Sequence, residues 1–318
     1  MGIAPEGIDQ NPMMYDLVTE MGWRTEINLE EWLAEYLRRR YGSVNEHAHI
    51  AWELLKDSAY GHSKQPGPTQ SVINQRPTKT GEDKVFNWKS TVLYYDKVKL
   101  ENACIHLYKA FDELSESDSY LYDLVDTTRQ ALANKSQDLL DALLKDFSNR
   151  DLEHFNQSSK AFIDLILDQD RLLKSRKEFL LGPWLEQAKG QGHTQEEKDL
   201  YEFNARTLIT TWASAAEDVL HDYANKEWSG LTSDFYLPRW QTYIHTLRTS
   251  LETGEAPKVI NWFEWEVKWT KKKNTFPTEP EGNIQSIVAE IINKYFLDAK
   301  SASDSNHDSL THQKQIRN

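Results

Sequence analysis

The chain has 318 residues and a formal net charge of −13, which argues against a nucleic-acid-binding surface of clustered Lys and Arg. Its single cysteine, Cys104, excludes an intrachain disulfide, and no apolar run approaches the ~18 residues that a membrane-spanning helix needs. Hydrophobic residues make up 39% of the chain, enough for a core, while Gly and Pro number only 13 and 10. Because helix formers such as Leu, Glu, Lys and Ala are plentiful, the composition favours an all-α fold.

The start of the chain differs from the rest. Gly2 to Asn11 has closely spaced Gly, Pro, Asp and Asn and no helical period, which indicates a loop, and a short helix is predicted over Met13 to Met21. A regular amphipathic helix then begins at Leu29, because apolar residues recur there at helical spacing. Asn28 is its predicted N-cap, and Gly42 lies just past its predicted end.

Further helices are predicted along the remaining chain. Frequent Gly and Pro predict a surface loop over residues 61–90, and polar residues 301–318 are predicted to be a disordered tail. Ser119 is a predicted cap, and Gly182-Pro183 should kink or split a helical run. Since no strand pattern is found, the sequence predicts a multi-helix bundle with helices within Val44–Ser58, Thr91–Ala188, Glu196–Thr253, Val259–Trp269 and Asn283–Phe296.

Two places in the sequence suggest a binding or catalytic site. Glu6, in Ala4-Pro5-Glu6-Gly7, lies on a tight loop that could present its carboxylate to a pocket, although such a residue is more often an ordinary solvated glutamate. Trp212, followed by Tyr223, lies near a break between two helices, where an aromatic ring can line a cleft. Aromatic rings stack on the apolar face of sugars, but they also build cores.

Other residues are interpreted as structural. Trp262, Trp265 and Trp269 share one helical face, and we predict that they belong to the core. Cys104 is predicted to be an inert core residue. No metal site and no cofactor are predicted, since His47 and His49 would point to different sides of a helix and no phosphate-binding or nucleophile-elbow motif is present. The sequons at Asn134 and Asn156 leave glycosylation open.

Several colinear motifs go beyond pattern and resemble the α-N-acetylglucosaminidase family of glycoside hydrolases. They extend over the chain to about Ala299 and occur in the family's order. They are GIAPEGIDQNPMMYDLVTEMGWR (ending at Arg24), RRRYG (38–42), YDLVDTTRQAL (122–132), FLLGPWLEQAK (179–189), HDYANKEWSGL (221–231), FYLPRW (235–240) and FPTEPEGN (276–283).

This resemblance implies specific roles. It implies a retaining enzyme that removes terminal, non-reducing α-linked N-acetylglucosamine, notably from heparan sulfate. Residues 1–24 would be the end of a (β/α)8-type barrel, and 25–300 a C-terminal helical domain. Glu6 matches the catalytic nucleophile, while Trp212, Tyr223 and Leu220 match residues of the small sugar pocket, and His62 matches a pocket histidine. The acid/base glutamate would belong to an earlier barrel strand that the chain lacks.

The resemblance also implies partners and a location. The expected partners are the glycan and the barrel domain, with a homo-oligomer possible and no nucleic acid or membrane. A lysosomal or secretory location is implied, although Met1 to Pro5 do not begin a signal peptide. The alternative is a non-catalytic helical module that binds glycans or a barrel partner without hydrolysis.

Overall fold

The computed structural model describes residues 11–61, 71–78, 92–212 and 221–297. Over these ranges the chain is helical, with no strand and one isolated parallel bridge between Leu180 and Ser229, so the all-α prediction is confirmed there. The helices are α1 (Pro12–Glu20), α2 (Leu29–Tyr41), α3 (Glu46–Lys56), α4 (Lys97–Lys109), α5 (Phe111–Leu114), α6 (Asp118–Ser148), α7 (Leu152–Leu173), α8 (Leu181–Gly190), α9 (Gln195–Leu208), α10 (Leu237–Thr253), α11 (Trp262–Thr270) and α12 (Ile284–Ile292).

The first two helices follow the sequence prediction. Asn28 caps α2, because its side-chain oxygen accepts from the backbone N–H groups of Glu30 and Glu31 at 3.1 and 3.4 Å. Gly42 ends α2 with a left-handed φ of 79°, a conformation that costs glycine little. The α1 helix is tied to α2, since the indole of Trp32 donates to Glu20 at 3.1 Å.

The α6–α7 hairpin is the centre of the bundle. These helices of 31 and 22 residues are joined by only Asn149 to Asp151, so they run antiparallel and share the most extensive helix contact. Helices α3 and α4 form a second pair that packs on α6 through α4, while α10 packs on α7. One face of α6 is buried, at Leu124, Val125, Thr128 and Leu132.

Two local predictions are corrected by the structure. Ser119 does not cap α6, which begins at Asp118; its hydroxyl instead donates to the carbonyl of Arg40 at 2.5 Å. Gly182-Pro183 does not kink a helix but lies in the first turn of α8, where the missing N–H of proline is harmless. The helical run is broken earlier, over residues 174–180.

Part of the predicted surface loop over 61–90 is a core element. Residues 71–78 contain the 3₁₀ turn Val72–Asn74, and Val72, Ile73 and Asn74 are each at most 2% exposed. The turn is buried because it packs between α6 and the π-helical turn Thr232–Tyr236. The surface-loop prediction is therefore wrong for this segment, and residues 62–70 and 79–91 lie outside the described part of the chain.

The predicted core residues are found in the core. Trp269 is buried, and Trp262 and Trp265 pack against the hydrophobic core from its edge. Cys104 is fully buried, and burial raises the pKa of its thiol to about 12, so it is unreactive. No helix in the described ranges has the length and apolar character to cross a bilayer.

Candidate active site

Trp212 and Tyr223 form an aromatic pair. Their ring centroids lie 4.8 Å apart at an interplanar angle of 58°, and both side chains are partly exposed. Trp212 follows the end of α9, and its backbone N–H donates to the carbonyl of Thr207 at 2.7 Å. Residues 213–220, which connect the two rings along the chain, lie outside the described residues. The structure therefore brings together two of the site residues that were predicted from the sequence.

The two chain segments that carry these rings are hydrogen-bonded to each other. We call these two hydrogen-bonded segments the neck, which consists of Thr210, Trp212, Asp222 and Tyr223. The backbone N–H of Asp222 donates to the carbonyl of Thr210 at 2.7 Å, which closes the neck. Trp212 and Asp222 both have left-handed φ values, 56° and 54°, which are uncommon for residues other than glycine. Such conformations persist where surrounding contacts enforce them, often at functional sites.

Asp222 belongs to a buried ionic quartet with Arg239, Glu266 and Arg76. The guanidinium of Arg239 donates to the two carboxylate oxygens of Asp222 at 3.0 and 3.2 Å and to Glu266 at 2.9 Å. Glu266 also accepts two hydrogen bonds from Arg76, at 3.0 and 2.6 Å. The side chains of Asp222, Arg239 and Glu266 are at most 1% exposed, and Arg76 is 17% exposed. With two cations and two anions, the quartet balances its own charge.

The protonation of Asp222 is unusual. Burial raises the pKa of Asp222 from 3.8 to about 6; the charge of Arg239 opposes this effect and that of Glu266 adds to it. The same desolvation acts on Arg239, but its pKa is still raised by the two carboxylates, so the guanidinium stays charged. Asp222 therefore takes up a proton at a higher pH than an ordinary aspartate does.

A cleft of about 310 Å³ lies between α3, α4 and α6. Trp52 and Tyr60 form one wall, with their rings 6.1 Å apart and nearly parallel. Asn11 also lines the cleft. The remaining lining residues are mostly aromatic or polar and include Tyr94, Tyr95, Asp126, Arg129 and Gln130.

The cleft and the aromatic pair are linked through Arg129. Its guanidinium lines the cleft and forms an ion pair with Glu227, which also accepts from Gln169 at 2.9 Å. Glu227 is four residues after Tyr223, at most ~14 Å of extended chain. Asn225, between them, accepts from Asn74 at 3.0 Å. The polypeptide that carries Tyr223 is thus anchored on both sides.

The remaining predicted site residues fall into two groups. Glu6, His62 and Leu220 lie outside the described residues. Asn134 is only 2% exposed in the middle of α6, and its side-chain oxygen accepts from Tyr95 at 3.1 Å, so its nitrogen has no room for a glycan in this fold. Asn156 is exposed on α7 and remains a glycosylation candidate.

Sequence reasoning missed the quartet. Arg239 stands in FYLPRW, between Tyr236 and Trp240, and a lone charge within an apolar helical face signals a buried, paired residue. Glu266 similarly lies among Trp262, Trp265 and Trp269. Within the described ranges, no three His, Cys, Asp or Glu side chains come together as metal ligands would.

The fold is shared with known glycoside hydrolases. A family 89 glycoside hydrolase from Clostridium perfringens, solved with its substrate GlcNAc-α-1,4-galactose, superposes with a TM-score of 0.87 at 35% identity over 92% of this chain. A family 89 glycoside hydrolase from the same organism, in complex with 2-acetamido-1,2-dideoxynojirmycin, gives a TM-score of 0.85 at 36% identity over 90% of this chain. Similarity at this level shows that the chain has the fold of the matching part of these family 89 glycoside hydrolases.

The sequence profile described as "Alpha-N-acetylglucosaminidase (NAGLU) C-terminal domain" matches residues 32–294, and the chain belongs to this family. The resemblance inferred from the motifs is thereby confirmed. The human protein named alpha-N-acetylglucosaminidase is 31% identical over 304 residues, or 93% of this chain. The chain spans 40% of that relative and 34% of each C. perfringens chain.

Proposed function

We propose that this chain is the C-terminal part of a retaining glycosidase that removes terminal, non-reducing α-linked N-acetylglucosamine, with heparan sulfate among its substrates. The observation that carries the proposal is the Trp212–Tyr223 pair, partly exposed and held by a buried quartet. Its rings would pack against the sugar ring and the N-acetyl methyl group. The bacterial relative in complex with GlcNAc-α-1,4-galactose supports this choice of sugar.

Glu6 supplies the nucleophile in this proposal. Retention of configuration requires two carboxylates roughly 5–5.5 Å apart, one attacking the anomeric carbon and one protonating the leaving oxygen. Glu6 precedes Asn11, a cleft residue, by five positions, so it is within ~17 Å of Asn11 along an extended chain. Leu220 would add an apolar contact to the sugar pocket and His62 a polar one.

The acid/base carboxylate comes from a barrel domain in this proposal. Residues 1–24 are then the end of that barrel, 25–300 the helical domain and 301–318 a tail. The greater length of the human relative leaves room for a barrel. The family also suggests a lysosomal or secretory setting, with Asn156 as the glycosylated residue.

Hydrolysis of an aryl α-N-acetylglucosaminide by the 318-residue chain tests the division of roles. We expect no turnover, because only one of the two carboxylates is present. Turnover that disappears in Glu6→Ala would show that the chain itself contains the acid/base and would refute this division.

A non-catalytic helical module is the second candidate, because the aromatic pair and the cleft can bind a sugar without hydrolysing it. It predicts saccharide or barrel binding without hydrolysis, even when the barrel is present. A reading frame directly upstream that encodes a barrel would favour the enzyme, and a stop codon ahead of Met1 would favour the module.

A further inference from the structure

Arg239 is the one quartet residue that contacts three separate parts of the chain. Its guanidinium donates to Asp222 at the neck, to Glu266 on α11, and to the backbone carbonyl of Asn74 at 2.5 Å. We propose that Arg239 is a positioning residue, which holds the Trp212–Tyr223 pair in the geometry that receives the sugar. The sugar-binding part of this inference rests on the proposed function, whereas its geometric part is independent of any ligand.

The position of Asp222 explains how Arg239 acts on both rings. Asp222 is the residue before Tyr223, so fixing its carboxylate fixes the backbone from which the Tyr223 side chain projects. Its N–H closes the neck on Thr210, two residues before Trp212. The left-handed φ of Asp222, 54°, is uncommon outside glycine, and the ion pair with Arg239 helps to hold it. Arg239 makes that contact through its ion pair with the Asp222 carboxylate.

Arg239 is itself held in place. Its guanidinium lies 4.9 Å from the ring centroid of Phe235 and 5.3 Å from that of Tyr236. The neighbouring indole of Trp240 donates to the carbonyl of Ile73 at 3.0 Å, which fastens α10 to the 71–78 segment. Lysine at position 239 would keep the charge but could not reach Asp222, Glu266 and Asn74 together, since a point charge has no planar fork.

A purely structural role for Arg239 makes a different prediction. It would lower the free energy of unfolding without changing the arrangement of the Trp212–Tyr223 pair in the folded state. Arg176 serves as a matched control, because its side chain is 8% exposed and its ion pairs, with Asp118 and Glu178, involve no residue of the neck. Any buried-arginine effect unrelated to the neck should appear equally in Arg176→Lys.

The test uses the full chain labelled with 5-fluorotryptophan and observed by ¹⁹F NMR. The Trp212 signal is identified by its loss in Trp212→Phe. We expect Arg239→Lys to shift or broaden this signal, and Arg176→Lys to leave it in place, with both variants retaining the helical circular dichroism of the wild type. An unchanged Trp212 signal in folded Arg239→Lys would overturn the proposal. If Arg239→Lys does not fold, the same comparison of the Trp212 signal is made with Asp222→Asn, which preserves the size of the side chain.

A ligand titration separates this inference from the proposed function. With N-acetylglucosamine as the probe, we expect the Trp212 signal to titrate, and Arg239→Lys to bind on the order of tenfold more weakly than Arg176→Lys, as a displaced contact should. If the wild-type Trp212 signal does not change when the sugar is added, this result counts against the proposed function. The ligand-free comparison of Arg239→Lys with Arg176→Lys would still decide the positioning role.

Discussion

Gly182 lies so close to Pro277 that a β-carbon on residue 182 would come within 2.1 Å of the Pro277 carbonyl oxygen. The contact joins the first turn of α8 to the segment before α12. It therefore connects two motifs that are far apart in the chain, since residue 182 and the start of the second motif at residue 276 are 94 positions apart. Only glycine permits this approach of two backbones.

Gly182→Ala should therefore destabilise the fold. Overpacking against a backbone atom costs about 1–3 kcal/mol or more of unfolding free energy, because neither backbone can move freely. Urea unfolding measures the loss. Gly190→Ala, in the last turn of the same helix with open space around its Cβ position, is the control and should be neutral or stabilising. Equal stabilities of the two variants would show that the close approach is absent.

The stability of the chain should depend on pH through Asp222. Its folded pKa of about 6 lies above the ordinary 3.8, so folding takes up a proton between these values. The contribution of Asp222 to stability is therefore greatest below pH 4 and falls as the pH rises through 6, by at most roughly 3 kcal/mol. Urea unfolding from pH 4 to 7 should show the stability of the wild type falling relative to Asp222→Asn. A constant difference between the two proteins across this range would contradict the raised pKa.

Removal of either ring of the pair should weaken sugar binding with little cost to stability. Trp212→Ala and Tyr223→Ala each lose a stacking face, and we expect affinity for N-acetylglucosamine to fall roughly 5- to 10-fold in calorimetry. The side chains are partly exposed, so the unfolding free energy should change by about 1 kcal/mol or less. Trp23→Ala, at a side chain that is 91% exposed, should bind like the wild type. Unchanged binding by both pair variants would remove the rings from the site.

Glycosylation should distinguish the two sequons. In a secretory expression host, mass spectrometry should find a glycan on Asn156 and none on Asn134, because the Asn134 side chain is enclosed within α6. Asn156→Gln should then remove all the glycan mass, and Asn134→Gln none. A folded protein carrying a glycan on Asn134 would contradict the burial of that residue.

Local signals in the sequence predicted most helices. Asn28 and Gly42 mark the ends of α2 correctly, because capping depends on neighbouring backbone groups alone. Ser119 failed as a cap because Arg40, a distant residue, takes its hydrogen bond. The buried turn at Val72–Asn74 was missed because Gly and Pro around it indicate a loop, whereas its burial depends on partners at Arg239 and Trp240.

The candidate site shows the same division. Trp212 and Tyr223 were selected from a helix break and from the family resemblance, and the structure places their rings together. The quartet behind them joins residues 76, 222, 239 and 266, and no spacing in the sequence predicts contacts over such separations. Charge within an apolar helical face was the only local sign, and it does not identify the partner.

The central claim is that this chain supplies the nucleophile, Glu6, and the sugar-binding Trp212–Tyr223 pair to a glycosidase whose acid/base carboxylate comes from a barrel domain. The most direct measurement replaces the matching 34% of the C. perfringens family 89 hydrolase with this chain and follows hydrolysis of an aryl α-N-acetylglucosaminide. We predict turnover that is lost in Glu6→Gln. Turnover that persists unchanged in Glu6→Gln would contradict the account.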